Sequence, residues 1–528
     1  MAAQQSTEGH AGGSSGKGVW RELRENPHIL GLSTFASLGG FLFGYDQGVV
    51  SGVLTMESFA AKFPRVYLDS NFKGWFVSTL LLVAWLGSLI NGPLADRFGR
   101  KGSMLIAVVV FLLGAALQAG ASDIPTIFAG RAIAGLAIGM LTMIVPMYMS
   151  EVSTPGIRGT LVVLQQLSIT LGILISYWLE YGTQYIDGTR CAPDIAYAGD
   201  SFDPTTDVGP NGCTGQSDAA WRVPFALQMF PALILGIGML FFPESPRFFL
   251  MRHNEEKALR ALARLRRSRC DRNILPSRRR SSSTDQWHAI NIQFMGCNAI
   301  IYYAPTMFAQ LGLSGNTSGL LATGVYGIVN TLSTLPALFL IDKVGRRPLL
   351  MCGAAATFIS LVIVGGIVGG YGASLSSHSS AGWAGIAFVY IYDINFSYSF
   401  APIGWVLPSE IFNLGNRSKA MAITTSTTWM CNFIIGLVTP EMLDKIGWGT
   451  YIFFAAFCLI ALVFTYFFVP ETKDKSLEDM DVVFGDSAAH EEKMRLYDIA
   501  ASVGLTDTLP AEKVEANRGM AEEVETHV

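Results

Sequence analysis

Charge is scarce in this sequence. Only 15% of its 528 residues are Asp, Glu, Lys or Arg, where a water-soluble chain carries about a quarter. So oily a chain does not read as a string of soluble domains. Neither sign is in excess, the net charge being -4, so nucleic acid is not an expected partner. Histidine is sparse as well. His28, His253 and His288 are scattered at no ligand or triad spacing, so no metal site, enzyme or cofactor is expected. The seven cysteines include no Cys-x-x-Cys pair, which excludes a zinc pattern. Cys297, Cys352, Cys431 and Cys458 fall in apolar runs, where cysteine serves as a small buried residue. No cleavable signal peptide is expected, because Met1 to Lys17 are polar and small and the first apolar run, from about Ile29, has the length of a span.

What the chain has in abundance is long apolar runs. Half of its residues are apolar, and they cluster in runs of roughly twenty, enough to cross ~30 Å of hydrocarbon at ~1.5 Å per residue. The runs predict spans near 28–52, 74–93, 103–121, 124–146, 160–181 and 221–242, then near 290–311, 318–341, 348–370, 383–407, 420–441 and 449–469. Helices are expected throughout, since a backbone facing lipid must satisfy its own hydrogen bonds. The expected architecture is an all-α membrane protein of about twelve transmembrane helices, in contact with a lipid bilayer.

Basic residues orient it. Asp96-Arg97-Phe98-Gly99-Arg100-Lys101, Asp342-Lys343-Val344-Gly345-Arg346-Arg347 and the stretch Arg252 to Arg280 fall on one side with both termini, predicted to be cytoplasmic. The opposite loop, about 183–219, holds Asp187, Asp194, Asp200, Asp203 and Asp207, together with Cys191 and Cys213. Two readings of that cysteine pair stand open, a disulfide or two free thiols. Asn316-Thr317-Ser318 is a sequon on the same side, too close to lipid for glycan attachment to be expected.

Three motifs recur in order. Asp-x-x-Gly-Arg-basic occurs at Asp96 and Asp342; Glu151 precedes Arg158 by seven residues, as Glu410 precedes Arg417; Pro243-Glu244-Ser245-Pro246-Arg247 and Pro470-Glu471-Thr472-Lys473 close the sixth and twelfth spans. Such repetition marks two homologous six-helix halves with a site between them. The expected division is an N-terminal segment 1–27, a half at 28–242, a linker at 243–289, a second half at 290–470 and a polar tail at 471–528, with one short helix near 491–501.

With Phe43-Gly44-Tyr45-Asp46 and Pro402-Ile403-Gly404-Trp405, these motifs resemble the sugar porter family of the major facilitator superfamily, and their wording is most similar to fungal monosaccharide carriers. The resemblance covers roughly 28–265 and 293–475. It implies a major facilitator fold of two pseudo-symmetric halves that carries a monosaccharide, hexose or pentose, by alternating access, in a plasma membrane and with a proton as co-substrate.

Residue roles follow. Asp46 is a carboxylate inside a span, costing about 2.5–3.5 kcal/mol on insertion scales, and therefore needs a partner or a function. Arg131 is the expected partner, and the family match makes the two the proton-coupling pair. A sugar site needs amides that both donate and accept, plus an aromatic face. Gln166, Gln293, Asn298, Asn330, Trp405 and Asn432 are the expected contacts, with Gln165, Tyr303 and Trp429 beside them. Asp96, Arg97, Arg100, Glu151, Arg158, Glu244 and Arg247 are the expected gating cluster of the first half; Asp342, Arg346, Arg347, Glu410, Arg417 and Glu471 are that of the second. Ion pairs that break and re-form there would gate access; the plainer reading is that they anchor helix ends. Pro402, Gly404 and Pro305 read as hinges or as static kinks.

One stretch departs from the family pattern. Residues of about 268–292 are rich in arginine and serine, and Ile292 stands where the first of two glutamines is usual. The seventh span therefore looks partly replaced. An altered splice or reading frame is one reading, a basic regulatory loop the other, and the transcript across Leu265 to Gln293 decides between them. The competing functions are a sugar sensor without transport, a facilitative carrier, and an inactive product of the damaged span.

Overall fold

The computed structural model describes residues 27–152, 158–197, 202–208, 212–252, 257, 293–313, 316–372, 375, 378–411, 417–469 and 471. The stretch 268–292 and the short helix near 491–501 lie outside the described residues, as do the side chains of His28, His253, His288, Arg158, Arg247, Asp342, Glu410 and Arg417.

The described chain is helical, with α1 at Pro27–Val53, two short helices, α2 at Glu57–Lys62 and α3 at Pro64–Leu68, then α4 at Ser70–Ala119, α5 at Ile124–Val152 and α6 at Arg158–Thr183. A sixth span is built from α7 at Ala219–Leu227 and α8 at Met229–Phe241, followed by α9 at Pro246–Met251. The second half runs α10 at Cys297–Gln310, α11 at Asn316–Thr334, α12 at Ala337–Lys343, α13 at Arg346–Tyr371, α14 at Ser379–Tyr398, α15 at Phe400–Ile411, α16 at Arg417–Lys445 and α17 at Trp448–Phe468. Among the described residues seven helical stretches are long and apolar enough to cross a membrane. The remaining described helices fall short in length or in apolarity.

The interruptions have local causes. The two spans expected near 74–93 and 103–121 form one run, α4, bent at Gly99 with φ 85°. The sixth span breaks at Gln228, between α7 and α8; Pro231 lacks the N–H that would bond to Leu227 four residues back. The tenth breaks at Ser399. Here the expectation needs a shift: Pro402 and Gly404 themselves are helical, and the break falls one turn earlier, where the proline ring would meet the Tyr398 carbonyl. In α10 the non-helical residue is Tyr303, two before Pro305.

Within the first half α4 packs along α5, and α1 along α6; in the second, α13 packs against α17 and α14. The halves meet along α4 and α16, α6 and α11, and α1 and α10. Gly44 lets α1 and α6 approach closely, since a Cβ there would lie 1.9 Å from the Ile169 carbonyl oxygen. That approach fixes the rotation of α1 and so the direction of its neighbours Asp46 and Gln47.

At the end away from the Gly-Arg motifs, α2 and α3 form a cap with the 184–218 loop. Cys191 and Cys213 are disulfide-bonded. Glu57 accepts the Cys191 N–H at 2.7 Å and the Tyr197 hydroxyl. Gln216 accepts the Ser58 N–H at 2.8 Å and donates to the Gln184 carbonyl at 2.9 Å. Phe59 and Phe63 pack edge-on to Trp221 of α7, which joins the cap to the first half.

Candidate functional site

A cavity opens between the halves, about 840 Å³ counted out to its mouth. Seven of the expected contacts line it: Gln166, Gln293, Asn298, Asn330, Trp405, Trp429 and Asn432. They come from α6, the turn before α10, and α10, α11, α15 and α16.

Hydrogen bonds hold these groups in place. Trp405 Nε1 donates to Gln166 Oε1 at 3.0 Å, across the two halves. Trp429 Nε1 donates to the Thr142 hydroxyl at 3.0 Å, and its ring meets Phe43 edge-on with centroids 5.0 Å apart. Asn298 Nδ2 donates to Gln293 Oε1. Asn432 Nδ2 and Gln47 Nε2 both donate to the Tyr302 hydroxyl, at 3.1 Å and 2.9 Å, and Gln47 also reaches Asn298 Oδ1 at 3.2 Å. A network anchored in both halves thus frames the cavity.

Two expected contacts are corrected. Gln165 does not line the cavity; it is fully buried and leans toward Gly40 of α1. Tyr303 points to α16, where its hydroxyl donates to the Gly436 carbonyl at 2.7 Å. Each stands next to a residue of the site's hydrogen-bond network, Gln166 and Tyr302, and one residue turns a side chain by ~100° on a helix. Gln47 is an unforeseen lining residue; the available signal was an amide directly after Asp46 inside a span.

Asp46 and Arg131 meet as expected. Arg131 Nη1 lies 3.2 Å and 3.1 Å from the two Asp46 oxygens, with both side chains buried. The guanidinium sits over the Phe76 ring, 5.6 Å from its centroid, and Nη2 reaches the Val77 carbonyl at 3.5 Å.

At the motif end Arg100 grips Glu151 through Nε at 3.0 Å and Nη2 at 2.9 Å, with Asp96 at 4.0 Å. Glu244 accepts the backbone N–H groups of Arg100 at 2.9 Å and Lys101 at 3.1 Å. Burial pushes the Glu244 carboxyl up, and the Ser245, Arg100 and Lys101 N–H groups pull it back. The second half repeats this, Glu471 accepting the N–H groups of Arg346 at 3.0 Å and Arg347 at 3.1 Å. Gly99 and Gly345, at φ 85° and 101°, are required in both cradles. A Cβ there would fall 2.3 Å from Glu244 and 2.5 Å from Glu471. Arg97 is less engaged, stacking near the Phe98 ring at 5.6 Å. Ser418 of α16 donates to Asp96 Oδ2 at 3.0 Å, joining the halves at this end.

A family model described as "Sugar (and other) transporter" matches residues 32–484. The chain is 32% identical over 500 residues to "MFS glucose transporter mfs1" of Aspergillus flavus, covering 87% of this chain and 90% of that one. It is 32% identical over 502 residues to a "Probable quinate permease" of Aspergillus niger, covering 87% and 88%. Among solved structures it is similar to the proton:xylose symporter XylE bound to 6-bromo-6-deoxy-D-glucose. The TM-score is 0.68 at 26% identity, over 87% of this chain and 99% of the other.

Proposed function

The chain belongs to the sugar transporter family, and from that premise we propose that it carries a neutral monosaccharide by alternating access, driven by a proton at Asp46. The observation that carries this reading is the cavity lining. Amides from both halves offer donors and acceptors to hydroxyls, and Trp405 offers an apolar face. Its described residues include no Lys, Arg or His. A carboxylate substrate such as quinate would find no cation there, and an unpaired buried anion is strongly disfavoured. The lining therefore favours a hexose or pentose.

Proton coupling rests on Asp46 and its neighbour in sequence. Asp46 is held by Arg131, while Gln47 reaches into the cavity network through Tyr302 and Asn298. Protonation of Asp46 removes the charge that Arg131 grips. α1 is then free to shift, and Gln47 moves with it. Sugar held by Gln47's partners in the second half biases the same movement. The two ligands are linked through one helix.

In this reading the halves are residues 28–242 and 290–470, and the motif end faces the cytoplasm of a cell bounded by the plasma membrane. The cradles built on Glu244 and Glu471 hold helix ends together, and the Asp96–Ser418 contact, with the Arg100–Glu151 pair behind it, closes the inner gate. Opening inward breaks contacts between α4 and α16 while the cradles stay whole.

Uptake of labelled glucose and xylose in cells lacking their own hexose carriers, with and without a protonophore and with quinate as competitor, tests the proposal. Saturable uptake that collapses with the protonophore and ignores quinate is expected. Uptake indifferent to the protonophore would make this a facilitator, and no uptake by chain shown to be at the surface would favour a sensor.

A further inference from the structure

The second half also buries a carboxylate inside a span. Asp393 is on α14, fourteen residues after its start at Ser379, ~21 Å along the helix axis. It is fully buried. Its Oδ1 accepts the Asn330 amide N–H at 2.9 Å and the Ser397 hydroxyl at 3.5 Å. Its Oδ2 is buried and makes no hydrogen bond of good geometry, the Tyr326 hydroxyl being the further side-chain donor set against the carboxyl.

The titratable groups that face it are all neutral ones. Tyr326 comes from α11, Cys297 from α10, Tyr177 from α6, and Tyr390 and Tyr392 from α14 itself. Among the described residues no Lys, Arg or His pairs with Asp393, whereas Asp46 has Arg131. An uncompensated carboxylate in such surroundings is strongly unfavourable. The acid form removes that charge.

Asn330 connects this group to the cavity. It lines the cavity, one N–H of its Nδ2 goes to Asp393, and its Oδ1 is buried with no partner. We propose that Asp393 is a proton-binding positioning residue, which carries a proton while it accepts one N–H of the Asn330 amide and so fixes that side chain in the cavity wall where sugar binds. This rests on the transport reading above and deepens it. The second half then holds its own proton, separate from the one exchanged at Asp46. Loss of that proton leaves a bare charge beside Asn330, which draws water or a cation into the cavity wall and spoils the sugar contact.

The test is equilibrium exchange of labelled sugar by the full chain carrying Asp46→Asn, from acid to alkaline pH. KM is expected to rise about tenfold per pH unit once Asp393 has lost its proton, with kcat moving far less. Adding Asp393→Asn, which mimics the neutral acid, should hold KM at its acid value throughout. Tyr326→Phe, the second variant, removes a hydroxyl that faces the carboxyl and should shift the alkaline limb to higher pH. An alkaline limb unmoved by either change overturns the role of Asp393 and leaves the transport reading intact. No saturable exchange at all, with the chain in the membrane, overturns both.

Discussion

The two halves of the molecule agree at one end and differ in the middle. At the motif end the parts are interchangeable. Glu244 caps Arg100 and Lys101 as Glu471 caps Arg346 and Arg347, and the Arg100 and Arg346 guanidiniums each reach a carbonyl five residues back, at 3.3 Å in both cases. At mid-depth the first half buries a carboxylate with a guanidinium, and the second buries one with an amide. A scaffold that must hold helix ends together has the same task twice and keeps the same solution. A site with the proposed tasks, sugar on one side and a proton on the other, has no reason to be symmetric. The departures from the repeat are therefore where the chemistry is to be sought.

Four experiments press on that contrast. The largest effect is expected from Asp46→Asn. Sugar accumulation in vesicles under an imposed proton gradient should fall to the equilibrium ratio, while exchange persists; unchanged accumulation would sink the coupling role. Next comes Glu151→Ala, which takes the two-point carboxylate partner from the fully buried Arg100 guanidinium. Removing one partner of a buried pair costs about 3–5 kcal/mol, readable as a lowered unfolding temperature of the purified carrier. Then Glu244→Ala and Glu471→Ala, each of which orphans the two N–H groups of its Gly-Arg turn (Glu244 also that of Ser245), should cost about 1–3 kcal/mol apiece and by similar amounts. A large inequality between them would break the claim that the cradles are equivalent. The smallest effect is expected at the rim of the network, where Gln47→Ala should raise the sugar KM by about two- to tenfold, the worth of one or two hydrogen bonds. Direct uptake kinetics would show it.

Much of this architecture was legible in the chain. Apolar length gave the spans, and the repeated motifs gave the two halves. The Asp46–Arg131 pairing was readable because a charge in a span demands a partner, and Arg131 was the nearest candidate in a neighbouring span. Other features were hidden by physics that acts at long range. Asn330 and Asp393 stand 63 residues apart, and no local pattern announces their bond. Glu180, buried against Gly52 of α1, escaped for the same reason. Tyr302 and Tyr303 look alike in sequence, and only the rotation of α10, with its non-helical turn at Tyr303, decides which one faces Gln47 and Asn432. The union of two spans into α4 was hidden because a glycine at positive φ reads equally well as a loop.

The cap over the opposite end carries one more consequence. It is fastened to the first half by Glu57, Gln216 and the Trp221 cluster. Toward the second half, the contact beside it is the Ser70 hydroxyl on Asp444. If the halves rock as proposed, the cap travels with its own half, and its position relative to the edge of α16 changes with every cycle. A binding protein raised against the disulfide-closed loop and the edge of α16 together would therefore recognise one conformer and not the other. Such a reagent would trap the carrier in mid-cycle and report its state by binding alone.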